Sequence, residues 1–199
     1  MENQTDEQLY DRFVRKKDEE AFGILFERYK HPLADFICRI IHNADDAEEL
    51  MMDAFSVVAA AKTVYKGRSG ASFKTWLFAI AGKQAAMFLR KNHTGRETSV
   101  FLEDDAAIPG NIECGIGNSV KDPASIIHDN DVKEALYRAL DRLDTDQREA
   151  LYLAYFEDMD AKQISTVLGR SVKQVYNLTA RGKIKLKTIL EREGYTWDM

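Results

Sequence analysis

Apolar side chains recur at intervals of three and four along most of this chain, the spacing of one helical face. Thr5 and Gln8 have the spacing of a capping box, and Leu9 and Phe13 follow it at helical intervals. A second helix starts near Asp18, with a stripe of Phe22, Leu25, Phe26, Tyr29, Leu33, Phe36, Ile37 and Ile40. Pro32 falls inside that stripe and predicts a kink or break. Asp45 with Glu48 opens a third helix carrying Ala47, Leu50, Met51, Ala54, Phe55 and Val58. A loop from Tyr65 to Ser72 follows, then a helix to about Lys91 with Phe73, Trp76, Leu77, Ile80, Ala81, Gln84 and Phe88 on related faces. Periodicity fails from about Thr94 to Asp131, where Pro109, Gly110, Gly115, Gly117 and Pro123 punctuate the chain. It resumes with Val132, Leu136, Ala139, Leu140 and Leu143, then Ala150, Leu151, Ala154 and Tyr155.

The last stretch is the most specific. Asp160 is placed to cap a helix whose apolar face is Ile164, Val167 and Leu168. Ser165 supplies a small side chain where a second helix would cross closely. Gly169 can take the left-handed conformation that ends a helix. Ser171 can cap the next one, which buries Val172, Val175, Thr179, Gly182, Leu186 and Ile189. Lys173, Gln174, Asn177, Arg181 and Lys185 occupy the opposite face. This is a helix-turn-helix pattern, whose second helix enters the DNA major groove. A surface hairpin with solvated lysines has the same pattern.

Charge favours the DNA reading. The chain carries −5 overall, yet residues 161–199 hold eight Lys/Arg against three Asp/Glu. Residues 66–93 hold six Lys/Arg and no acid, interleaved with Phe73, Trp76, Phe78 and Phe88. Basic charge tracks phosphates and aromatic planes stack on exposed bases, so this composition suits single-stranded DNA. Core packing is the other use for these rings: Trp76 and Phe88 read as core, whereas Phe73 beside the loop suits either. Residues 97–131 hold eight acids against one base, the composition of an extended acidic linker.

The expected fold class is all-α: two small helical domains, 1–93 and 131–199, joined by an acidic linker, 94–130. A hydrophobic content of 45% suffices for packed cores. No apolar run approaches the roughly 20 residues that span a bilayer, and the polar N-terminus is unlike a signal peptide. The expectation is a cytoplasmic protein with no membrane insertion. Cys38 and Cys114 lack CxxC partners, so free thiols and no metal are expected. The loop lacks Walker spacing. His31, His42, His93 and His128 lie in separate segments with no nucleophile constellation, which argues against an enzyme, a cofactor or a small-molecule substrate.

Taken together, these residues resemble an alternative bacterial sigma factor of the extracytoplasmic-function group. In the first domain the resemblance rests on Asp18-Glu19-Glu20-Ala21-Phe22 with Phe26 and Tyr29, on Asp46-Ala47-Glu48-Glu49-Leu50 with Asp53-Ala54-Phe55, and on Gly70–Leu77 with Ile80-Ala81. In the second it rests on Leu143, Gln147–Leu151, Tyr155-Phe156, Ile164, Leu168-Gly169 and Ser171-Val172. The resemblance implies region 2 and region 4 domains. Asp46, Glu49, Leu50, Asp53 and Phe55 would dock on the β′ clamp helices of core RNA polymerase, and region 4 would meet the β flap. Tyr65, Lys66, Arg68, Ser69, Phe73, Lys74, Trp76, Lys83 and Arg90 would serve the −10 element, with the loop capturing a flipped base of promoter DNA. Ser171, Lys173, Gln174, Asn177, Arg181 and Lys185 would serve the −35 element. The linker would follow the RNA exit path, and an anti-sigma factor is implied as regulator.

The chain departs from that family's pattern at Met52-Asp53, Lys83, Met87, Tyr176 and Leu178. These departures bear on which bases are read, not on the fold. Two other functions fit the composition: a helix-turn-helix regulator acting on duplex DNA without polymerase, and a sigma mimic that titrates an anti-sigma factor. The acid-free basic stretch 66–93 argues against the first, because a sensor domain needs no single-strand surface.

Overall fold

The computed structural model describes residues 4–60, 65, 71–93 and 130–195. Among them are eight α-helices and no strand: α1 (Asp6–Lys16), α2 (Glu19–Ile41), α3 (Ala44–Ala59), α4 (Phe73–His93), α5 (Asn130–Asp141), α6 (Thr145–Tyr155), α7 (Ala161–Leu168) and α8 (Val172–Arg192). The stretch expected as an acidic linker lies outside the described residues, apart from its last position.

Local side-chain chemistry sets most helix starts. Thr5 and Gln8 form the expected capping box on α1. The Asp18 carboxylate accepts from the Ala21 N–H at 3.1 Å and opens α2. α3 begins earlier than Asp45-Glu48 suggests, because the Asn43 side chain accepts from the Asp46 N–H at 3.2 Å and leaves Asp45 inside the first turn. α4 is held from a distance as well: Glu7 of α1 accepts from the Phe73 N–H at 3.0 Å.

Pro32 does not break α2, which runs unbroken from Glu19 to Ile41. Its missing N–H and ring clash cost about 3 kcal/mol. Leu25, Leu33, Phe36 and Ile37 on the same helix are completely buried, each contributing roughly 1.5–3 kcal/mol, so the tertiary term wins.

α2 is the central element, with α1, α3, α4 and α6 packed on it. α4 lies on α1, α2 and α3 and also touches α7. One apolar core therefore runs from Leu9, Leu33, Phe36 and Phe78 into Tyr152, Leu153, Ile164 and Val167. The two helical groups are in contact because α6 and α7 turn these side chains toward α2 and α4. α5 closes over α8 through Ala135, Ala139 and Leu190, and Leu140, Leu143 and Leu151 pack beside them. Cys38 is buried in α2, and Cys114 lies outside the described residues.

Two glycines make opposite predictions. A Cβ on Gly182 of α8 would stand 2.9 Å from Leu151 Cδ1 and 3.2 Å from its Cγ. Gly182→Val should therefore cost about 1–3 kcal/mol through overpacking. Gly23 is exposed within α2, with nothing inside 4 Å of an added Cβ. Gly23→Ala should stabilise by about 0.5–1 kcal/mol through backbone entropy. Urea denaturation of the full chain checks both, and an unchanged Gly182→Val midpoint would contradict the close α6–α8 approach.

Candidate nucleic-acid interface

The helix-turn-helix is built as its sequence suggests. Asp160 accepts from the N–H groups of Lys162 at 2.8 Å and Gln163 at 2.9 Å, and Gln163 Oε1 accepts from the Asp160 N–H at 2.9 Å. Gly169 ends α7 at φ 62°, the left-handed region. Ser165 serves the turn: its Oγ donates to the Arg170 carbonyl at 2.6 Å. Ser171 Oγ accepts from the Gln174 N–H at 3.3 Å, and the Ser171 N–H donates to Gln174 Oε1 at 2.8 Å. Ser171 and Gln174 are thus engaged with each other at the helix start.

α8 divides cleanly into two faces. Val175, Gly182 and Leu190 are buried, with Val172, Thr179, Leu186 and Ile189 half-buried beside them. Lys173, Gln174, Asn177, Arg181 and Lys185 are all exposed. Asn177 and Arg181 open onto a hollow of about 210 Å³ between α6 and α8, shared with Asp146, Gln147, Arg170, Gln174 and Leu178. Arg170 was missed from sequence. Its guanidinium pairs with Asp146 at 2.7 Å, which holds a turn cation beside the exposed face of α8. A basic residue immediately before the capping Ser171 was the available signal.

The α4 side is more mixed. Lys66, Arg68 and Ser69 lie outside the described residues. Phe73 corrects the expectation of a DNA-facing ring: it is completely buried, 5.2 Å from the Tyr10 ring and 5.8 Å from Trp76. Its position opening α4 drives it under α1, where Tyr10 waits. Trp76 is half-buried in the same cluster, with Tyr65 at 5.8 Å. Tyr65 donates its hydroxyl to the Ala71 carbonyl at 2.6 Å. Lys83 and Arg90 are exposed. Lys74 is instead turned toward the second helical group, where its ammonium meets Glu157 Oε2 at 2.8 Å.

On α3, Glu49 and Asp53 are exposed and Asp46 is half-buried. The apolar centre expected from Leu50 and Phe55 is corrected: both point inward, and the Phe55 ring lies 4.9 Å from Phe26 and 6.1 Å from Phe22. The phenylalanines of α2 complete the core there. Met52, at 50% exposure, is the apolar side chain that this acidic face presents.

The chain matches two family descriptions in order, "Sigma-70 region 2" over residues 25–94 and "Sigma-70, region 4" over residues 133–186. Together they span more than half of its length. The chain belongs to the sigma-70 family. It is similar over 96% of both lengths to the RNA polymerase sigma-H factor of Pseudomonas aeruginosa, at 26% identity. It is also 26% identical to the extracytoplasmic-function sigma-E factor of Escherichia coli K12, over 92% of each chain. Among solved structures, CnrH in complex with the cytosolic domain of CnrY shares the fold with a TM-score of 0.62 at 22% identity, covering 95% of this chain and 99% of that one. The sigma factor RpoE in complex with the anti-sigma factor NepR from Bartonella quintana gives 0.61 at 21% identity, covering 86% and 98%.

This sigma factor therefore carries region 2 on α2 to α4 and region 4 on α5 to α8. Glu149 of α6, half-buried near the Asp146–Arg170 pair, has its carboxyl pushed up to about 7, chiefly by burial and also by the negative charge of Asp146. Between the ordinary glutamate range and 7 the folded chain keeps a proton that the unfolded chain has lost. Stability from this group therefore falls as pH rises through that window. Glu149→Gln should flatten the decline, so that the variant gains on its parent between pH 5 and pH 8. Urea midpoints at the two pH values test this, and parallel curves would exclude the titration.

Proposed function

We propose that this sigma factor is the promoter-specificity subunit of a bacterial RNA polymerase, reading the −35 element as duplex through α8 and the −10 element through α4 and the loop before it. The observation that carries the reading is the ridge of Lys173, Asn177, Arg181 and Lys185, exposed on one helix whose other side is anchored in the core. Asn pairs bidentately with adenine, and Arg pairs with guanine or phosphate. Lys173 lies in the first turn of α8, where free backbone N–H groups favour phosphate. Arg170 adds a second cation for the backbone, oriented by Asp146. Lys83 and Arg90 supply the exposed charge on α4.

Core polymerase is the partner proposed for α3. Glu49 and Asp53 offer charge to a basic rim, and Met52 supplies adaptable apolar contact. An anti-sigma factor is the proposed regulator, supported by the Bartonella quintana neighbour solved with one. No described helix is long and apolar enough to cross a membrane, in keeping with a site of action at the chromosome in the cytoplasm.

Core polymerase supplied with this protein should yield transcripts starting at discrete genomic sites, and absence of such transcripts would remove the reading. Once a site is in hand, Asn177→Ala should relax preference at one −35 position, at a cost of about 1–3 kcal/mol. Lys173→Ala should weaken all sequences alike and reduce the salt slope by about one. Binding of the holoenzyme to −35 variants at several salt concentrations separates the two, and a uniform loss for Asn177→Ala would contradict the register. Asp53→Lys should weaken association with core polymerase while helical content stays unchanged. Undiminished co-purification would take α3 out of the interface.

A further inference from the structure

α1 lies ahead of the matched region 2, which begins at residue 25, yet it is bolted firmly into it. The Asp6 carboxylate accepts from the Tyr29 hydroxyl and pairs with Arg28, both on α2. Arg12 pairs with the Asp18 cap of α2 at 2.6 Å. These contacts fix α1 against α2. Glu7 reaches elsewhere: its carboxylate accepts from the Phe73 N–H at 3.0 Å, 66 residues further along the chain.

That contact is not needed to start α4. Ser72 already caps it locally, its Oγ accepting from the Thr75 N–H at 3.2 Å. The first turn of α4 contains no acidic side chain, so half-buried Glu7 brings negative charge to its positive end from across space. Tyr10, three residues on and therefore on the same face of α1, acts at the same place. Its ring is buried, 5.2 Å from Phe73, 5.5 Å from Trp76 and edge-on to Tyr65 at 6.1 Å. Tyr65 in turn donates to the Ala71 carbonyl at 2.6 Å. Tyr65 and Ala71, near the two ends of the loop, are thus tied to each other and through Tyr10 to α1.

We infer that α1 is the positioning element of the −10 site: Glu7 and Tyr10 fix the start of α4 and the ends of the loop before it, and so hold the base-capturing segment in its receptive geometry. The inference rests on the reading of α4 and that loop as the −10 surface. Glu7 and Tyr10 are positioning residues, acting through Phe73 and Tyr65. Unstacking a base already costs free energy, and a loop that had also to be ordered on binding would add its own entropy to that cost. A frame set in advance by α1 removes the second contribution. Lys83 and Arg90, exposed on α4, supply attraction for the strand without orientation; α1 supplies the orientation.

The test uses holoenzyme assembled with full-length variants, and the fluorescein-labelled non-template strand of a mapped promoter as probe. Glu7→Ala should weaken binding of this −10 strand about five- to tenfold, the worth of one lost cap, and should reduce discrimination against a changed base at the captured position. Glu7→Gln keeps an acceptor oxygen for the Phe73 N–H and should recover most of the loss. Tyr10→Leu, which removes the ring beside Tyr65, should act in the same direction as Glu7→Ala, provided its circular dichroism matches the parent. Binding of a −35 duplex and of core polymerase should not change. Undiminished −10 binding by Glu7→Ala would overturn the inference, as would equal losses for the −10 strand and the −35 duplex. Lys83→Ala combined with Arg90→Ala then identifies what failed. Weakened −10 binding by that double variant leaves the α4 reading standing and removes the role of α1 alone, and undiminished binding removes both.

Discussion

The guanidinium of Arg148 is the contact on which the arrangement of the helices depends. It is buried and donates to the carbonyls of Leu140 at 3.1 Å, Asp141 at 2.9 Å and Leu143 at 3.0 Å, which close the α5–α6 turn. It also reaches the Arg39 carbonyl at 2.7 Å and lies 2.6 Å from His42 Nε2 at the end of α2. Burying a cation is expensive unless its donors are satisfied, and a planar group with five N–H bonds can satisfy them where an ammonium could not. His42 must present a lone pair to such a partner. Burial, and secondarily the Arg148 charge, accordingly push its pKa down. With α6 fixed on α2 in this way, Tyr152 stacks on Phe36, and Arg39 lies 4.4 Å from Tyr137 and 5.4 Å from Tyr152.

From that anchor, α3 and α8 divide their two sides the same way. α3 sends Ala47, Leu50, Ala54 and Phe55 inward and leaves carboxylates outside. α8 sends Val175, Gly182 and Leu190 inward and leaves cations outside. The net charge of −5 conceals this polarity. The two exposed faces have opposite sign, so they favour different partners and repel each other's.

What was legible in the sequence was local. Caps at Thr5, Asp160 and Ser171 were readable because donor and acceptor lie within three residues of each other. The outward set on α8 was readable because a period of 3.6 leaves one face polar. Periodicity does not say what an apolar face will meet. Phe73 and Phe55 therefore looked available for DNA and polymerase, although Tyr10 and Phe26 occupy them. Arg148 was invisible as an anchor, since its partners Arg39 and His42 lie far away in the chain. Lys74 was readable as a basic residue on α4, but its pairing with Glu157 depends on how the two helical groups meet.

The aromatic cluster at the start of α4 has an optical consequence. Trp76, one of two tryptophans in the chain, has the rings of Tyr10 at 5.5 Å and Tyr65 at 5.8 Å. Both tyrosines are close enough to pass excitation to the indole, and Tyr65 and Ala71 flank the segment read as the base-capturing loop. A nucleobase seated beside this cluster would quench the indole by stacking. The molecule thus carries its own emission signal at the surface proposed above for the −10 element.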